Sequence, residues 1–206
     1  MRTRISLFVL AAGALCAQPA HYELRPAHGS RFALTVEKTG LLSGKKHIFE
    51  FQRFTGRVLF DRAAPNRSQV ELTIDAASAT CKDSWVSDKD RSKILAFMRR
   101  DMLDVERHPR LTFRSSSVVM KGDRSFEVAG NLVVRGIDKP AKVSVIIDDG
   151  QGTLQSVNGQ AVVRLKDYGL KPPKAALGAI GTKDEMTVEF QLVPLPVQVS
   201  NPAGAQ

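Results

Sequence analysis

Eight stretches of this chain alternate apolar and polar residues, and most of the gaps between them are too short to hold a crossover helix. Alternation with a period of two is the mark of a strand with one buried face. Short gaps force neighbouring strands to run antiparallel. The stretches are Arg31–Glu37, His47–Asp61, Gln69–Asp75, Arg110–Met120, Arg124–Arg135, Ala141–Asp148, Leu154–Lys166 and Met186–Val193. The second changes parity near Arg53, where a β-bulge would shift the register and help to curl a sheet. Lys121-Gly122-Asp123, Asp148-Asp149-Gly150 and Gly136–Pro140 carry turn chemistry.

Eight strands with eight apolar faces need a shared interior. A closed or nearly closed barrel supplies one and removes exposed edges. A two-sheet sandwich is the alternative. A barrel of this size either fills with side chains or holds one small ligand. The rhythm breaks once, between Ile74 and Phe113. There Phe97, Ile94, Val105, Met98, Met102 and Leu95 fall on one face at 100° per residue, predicting an amphipathic helix. Ser87 with Asp90 three residues on predicts its N-terminal cap, and Pro109 ends the segment. The expected fold class is therefore all-β, an eight-stranded antiparallel barrel with one amphipathic helix in the connection between strands three and four.

The termini frame one domain of a 206-residue chain. Arg2 and Arg4 precede an apolar run, Ile5–Ala17, too short to span a bilayer, which predicts a signal peptide over residues 1–17 cut after Ala17. The barrel domain is expected over 18–193, with a flexible tail over 194–206. The protein is then periplasmic or secreted. Cleavage removes two arginines and no acid, so the net charge falls from +9 to +7. That balance suits a solvated basic surface or transient contact with an anionic membrane. Nucleic acid is not an expected partner, because the basic residues are scattered and form no binding motif. Oligomeric state is left open, a dimer included. Cys81 is the sole thiol after cleavage, so no internal disulfide forms, and a buried, inert thiol is its expected role.

Motifs for catalysis are missing. The four histidines form no zinc-binding pair, no Gly-x-Ser-x-Gly elbow is present, and Gly178-x-x-Gly181-Thr182-Lys183 lacks the spacing of a phosphate-binding loop. The expectation is a non-enzyme without catalytic residues, metal or cofactor.

The order of local motifs resembles the YceI-like family. Tyr22 and Ser30-x-Phe32-x-Leu34-x-Val36 come first, then Phe51-x-x-Phe54-x-Gly56 and Ile74-Asp75-x-x-Ser78-x-Thr80. After the helix follow Asp101-Met102-Leu103-Asp104, His108-Pro109-x-Leu111-Thr112-Phe113, Gly130–Gly136 and Asp167-Tyr168-Gly169-Leu170. The chain departs from the family pattern at Gly29 and Lys38, where histidines are frequent, and in the long Lys166–Met186 segment. The resemblance implies an exported lipocalin-like barrel whose apolar pore takes a polyisoprenoid or other long-chain lipid, sometimes with a quinone-like or phosphate-bearing head. Candidate walls are Phe32, Leu34, Val36, Phe51, Phe54, Phe113, Phe126 and Leu132. Ile94, Phe97, Met98 and Met102 are candidate lining from the helix, and Tyr168 offers a hydroxyl. Arg135 and Lys139 sit near a turn that an anionic head group can reach. Each apolar candidate also suits a filled core. The competing expectation is an extracytoplasmic stress or interaction protein with a solid barrel.

Overall fold

The computed structural model describes residues 19–197. The expected signal peptide and the end of the tail lie outside them. Thirteen strands build one antiparallel sheet: β1 (Ala20–Leu24), β2 (Arg31–Gly40), β3 (Lys46–Phe51), β4 (Phe54–Phe60), β5 (Gln69–Asp75), β6 (Ala79–Cys81), β7 (Arg110–Gly122), β8 (Ser125–Val134), β9 (Ile137–Asp148), β10 (Ser156–Arg164), β11 (Lys174–Ala175), β12 (Ile180–Leu192) and β13 (Leu195–Pro196). The order is β13-β1-β4-β5-β7-β8-β9-β10-β12-β2-β3-β6, with β11 on β12.

Thirteen strands replace the expected eight for two physical reasons. The expected second stretch breaks at Gln52–Arg53 into β3 and β4, and the chain leaves the ladder over Ala76–Ser78 before re-entering as β6. The break keeps its backbone groups satisfied. Arg53 N donates to Ser78 Oγ at 3.1 Å, Ser78 Oγ donates to the Asp75 carbonyl at 2.7 Å, and Asp75 N donates to the Arg53 carbonyl at 3.0 Å. Of the remaining additions, β11 and β13 have two residues each and are too short to show a period, whereas the five residues of β1 alternate and were passed over. Leu195–Pro196, assigned to the tail by sequence, pairs with β1, and Val197 N donates to the His21 carbonyl.

The sheet curls strongly. β3 pairs with β2 and β6, whereas β4 pairs with β1 and β5. Only Gln52 and Arg53 separate β3 from β4, so distant parts of the strand order meet along one stretch of chain. The inner face holds two apolar clusters. One gathers Phe32, Phe51, Phe54, Ile74, Met98 and Leu103; the other gathers Tyr22, Val118, Phe126, Val128, Ile147 and Leu154. Tyr22 also fastens β1 to the β9–β10 connection, its hydroxyl accepting from Leu154 N at 3.1 Å.

Helix α1 spans Asp88–Phe97, between β6 and β7 in the chain. Ser87 caps it, accepting from Asp90 N at 3.1 Å. The expected single apolar face is corrected after Phe97. Met98–Met102 widen into a π turn, closed by Leu103 N donating to the Met98 carbonyl. A wider turn no longer advances 100° per residue, so burial passes to Met98 and Leu103 while Phe97 stays 40% exposed. No residue of α1 itself is fully buried.

Candidate functional site

Several side chains that the alternation points inward are only half-buried: Leu34, Leu132, Val134 and Met186. They face hollow space. A cavity of about 400 Å³ is bounded by β2 (Leu34, Val36, Lys38), β3 (His47, Phe49, Phe51), β8 (Leu132, Val134), β10 (Val163) and β12 (Thr182, Met186). Ile94, Phe97, Met98, Met102 and Leu103 border it from the helix and the π turn, and Leu165, Tyr168 and Pro173–Ala175 from the β10–β12 connection. A smaller cavity, about 140 Å³, lies among Phe32, Phe60, Phe113, Phe126, Val145 and Phe190. Both touch Ile74, Leu132 and Val163, which therefore stand at the boundary between them.

The candidate residues divide accordingly. Leu34, Val36, Phe51, Ile94, Phe97, Met98, Met102, Leu132 and Tyr168 border the larger cavity. Phe32, Phe113, Phe126 and again Leu132 border the smaller one. Phe54 borders neither; it is buried with its ring 6.1 Å from that of Phe32. Sequence reasoning passed over Phe49, Leu103, Val134, Val163 and Met186. The alternation already aligned Phe49 with Phe51 and Val163 with Leu165, but nothing local distinguished wall from filled core.

The larger cavity is apolar over most of its surface and carries no acidic side chain among its lining residues, but three lysines, Lys38, Lys93 and Lys174, reach it. Lys38 and Thr182 stand directly opposite each other across the β2–β12 ladder, close enough for side-chain contact. Thr182 Oγ1 is buried without a hydrogen-bond partner. Burial pushes the Lys38 ammonium below its usual range, and the Asp83 carboxylate opposes that shift. A charged amine and an unpaired hydroxyl thus share one end of an otherwise greasy chamber.

Behind that end lies a buried polar cluster that the sequence did not reveal. His47 Nδ1 meets Asp83 Oδ2 at 2.5 Å, and Ile48 N donates to Asp83 Oδ1 at 2.8 Å. Trp85 stacks on the His47 ring at 5.4 Å and donates its indole N–H to the Lys46 carbonyl. Trp85 is therefore an anchor for the connection that carries the helix. Asp83→Ala leaves two buried donors without an acceptor, at about 1–3 kcal/mol each. A thermal melt is expected to show Tm lowered by at least about 5 °C; an unchanged Tm would mean that water or another group replaces the carboxylate.

Three other candidates resolve simply. Tyr168 donates its hydroxyl to the Leu132 carbonyl at 3.3 Å, and burial raises its pKa to about 12. Arg135 donates to the carbonyls of Asp101 and Met102, closing the end of the π turn, so it is held by the protein and is not a free head-group contact. Cys81 is buried, and desolvation raises its thiol to about 11, so it stays protonated at neutral pH.

The profile of the YceI-like domain matches residues 22–193, nearly all of the described chain. The chain belongs to the YceI-like family. Among its relatives, a UPF0312 protein of Azotobacter vinelandii is 31% identical over 126 residues, covering 59% of this chain and 62% of the relative. A UPF0312 protein of Pseudomonas putida is 30% identical over 130 residues, covering 61% and 64%. The aligned region thus spans less than two thirds of these relatives. Among solved structures, Burkholderia cenocepacia BcnA aligns with a TM-score of 0.60 at 20% identity, over 80% of this chain and 95% of that one. A polyisoprenoid binding domain from Saccharophagus degradans, implicated in plant cell wall breakdown, aligns at 0.56 and 13% identity, over 87% and 100%. At these identities the two structures establish a shared fold: a curled, lipocalin-like antiparallel sheet with one helix.

Proposed function

We propose that this protein is an exported, non-enzymatic carrier or store for a polyisoprenoid or similarly long amphiphile. In this reading the curled sheet closes around one shared interior. The tail occupies the larger cavity and extends past Ile74, Leu132 and Val163 into the smaller one. The head group rests at the end marked by Lys38, Thr182 and Lys174. The single observation that carries the reading is the 400 Å³ apolar chamber with its polar groups reduced to a few cationic and hydroxyl side chains. That volume falls within the ordinary range for ligand sites, about 300–1,000 Å³, which are mostly apolar with a few orienting polar groups. It also weighs against a barrel filled solid by its own side chains. Methionines 98, 102 and 186 suit a flexible chain because thioethers repack without strict shape. The description of the Saccharophagus domain as polyisoprenoid-binding supports the same ligand class. The positively charged, short apolar N-terminus supports export.

Each buried methylene contributes about 0.8 kcal/mol, so affinity is expected to climb steeply with chain length until the chamber is full. Two measurements test this. Organic extraction of the purified protein, followed by mass spectrometry, is expected to release a long-chain lipid. A titration series of isoprenoid alcohols of increasing length is expected to show tightening with each added unit. No recovered lipid together with no uptake of any member of the series would overturn the proposal.

A further inference from the structure

Two loops at the lysine end of the larger cavity contain no acidic residue. One joins β2 to β3 and reads Gly40-Leu41-Leu42-Ser43-Gly44-Lys45-Lys46; the other surrounds β11 and reads Lys171-Pro172-Pro173-Lys174-Ala175-Ala176-Leu177-Gly178-Ala179. They are fastened together. Leu41 N donates to the Ala179 carbonyl at 3.0 Å, and Gly40 pairs with Ile180. A Cβ at Gly40 would lie 2.1 Å from the Ala179 oxygen, and its φ of +69° is in the left-handed region, so this junction requires glycine.

Each loop holds a leucine out in solvent. Leu41 is 80% exposed and Leu177 is fully exposed. Leu177 is held there by left-handed backbone at Ala176 (φ +49°) and at Leu177 itself (φ +54°). That conformation is unfavourable for residues with a side chain, and among the described residues the side chain of Leu177 is buried against none. Around these leucines, Lys45, Lys171 and Lys174 make no ion pair among the described residues, Lys45 lying 6.0 Å over the Trp85 ring, while Lys46 and Lys183 share the single carboxylate of Glu37. Pro173, Lys174 and Ala175 of the second loop border the larger cavity, as does the part-exposed Phe97. Protruding apolar tips, unpaired cations and the chamber therefore share one rim.

We propose that this rim docks on an anionic lipid bilayer, with Leu41 and Leu177 entering the apolar boundary and Lys45 and Lys171 lying among the phosphates. The combination matches peripheral membrane binding, in which a small apolar area and basic side chains act together. Isolated leucines on two loop tips make no flat continuous patch, which distinguishes the rim from a protein–protein interface. Docking would set the mouth of the chamber against a source of insoluble lipid. That purpose rests on the lipid reading above; the docking itself does not.

The test is co-sedimentation of the mature chain with phosphatidylcholine vesicles and with vesicles that also contain phosphatidylglycerol. The wild type is expected to partition onto the anionic vesicles and to be released by salt. The double variant Leu41→Asp, Leu177→Asp is expected to lose partitioning by about tenfold or more, and Lys45→Glu, Lys171→Glu to do likewise. All four positions are exposed and none borders the cavity, so far-UV CD and uptake of an isoprenoid alcohol in solution should not change, and Tm should fall by a few degrees at most, through loss of the exposed Lys45–Trp85 contact. Failure of the wild type to bind anionic vesicles, or equal binding by both double variants, overturns the docking. Docking without uptake of the alcohol would instead overturn the lipid reading and leave this surface standing.

Discussion

Val134→Trp is expected to weaken binding of a long isoprenoid by about a hundredfold while leaving Tm within a few degrees of the wild type. Val134 ends β8 and pairs with Ile137 of β9, and its half-buried side chain borders the larger cavity. An indole there has a hollow to enter, so the overpacking cost of a filled core, about 1–3 kcal/mol, is largely avoided. The tail is what gives way. Displacing three or four methylenes at about 0.8 kcal/mol each removes roughly 3 kcal/mol of affinity, or two powers of ten. Competition titration against a fluorescent isoprenoid, paired with a thermal melt, separates the outcomes. Unchanged affinity with a Tm lowered by more than about 10 °C would mean that Val134 sits in packed core.

Gly159→Val should have the opposite signature, a large loss of stability. Gly159 lies on β10 opposite Phe190 of β12 and Val145 of β9. A Cβ built on it would sit 2.2 Å from Cζ of Phe190, within the ring. That ring borders the smaller cavity, but moving it breaks its stack. It stacks on Phe32 at 5.6 Å and 4° between planes, and Phe32 in turn meets Phe51 and Phe54 at 6.2 and 6.1 Å. Displacing one ring disturbs all four. The expected cost is about 3 kcal/mol or more, a Tm lowered by roughly 6–12 °C in a melt of the purified variant. A melt indistinguishable from the wild type would mean that Phe190 swings clear of the position.

The contrast between these two positions shows what was legible in the sequence. Alternation put Gly159 and Phe190 on inner faces, and it put Val134 there as well. It carried no information about whether an inner face meets another side chain or a void, because both demand the same apolar residue. Leu34 and Phe32 are two residues apart on β2 and look equivalent in the sequence, yet one borders the larger cavity and the other stacks in the aromatic row beside the smaller one. The family's motifs supplied the expectation of a pore that periodicity alone left open.

Other parts were hidden for different reasons. The helix start was readable because Ser87 and Asp90 are neighbours in the chain. Its π turn was not, because Met98–Met102 continue the apolar pattern while the hydrogen bonding changes. The His47–Asp83 pair joins residues 36 positions apart through the curl of the sheet, and neither residue sits in a motif. Lys38 was visible only as a departure from the family pattern. Its place at the cavity's polar end depends on Thr182, which reaches it from the far side of the chain by way of the β2–β12 ladder.

The proposed function requires the interior of this protein to hold one lipid tail. Titration of the purified protein with a fluorescent long-chain isoprenoid, monitored by emission and by native mass spectrometry, tests it most directly. The predicted result is saturable binding of one lipid per chain, competed by unlabelled isoprenoid and lost in Val134→Trp. Linear, non-saturating uptake, or saturable binding unaffected by Val134→Trp, would contradict it.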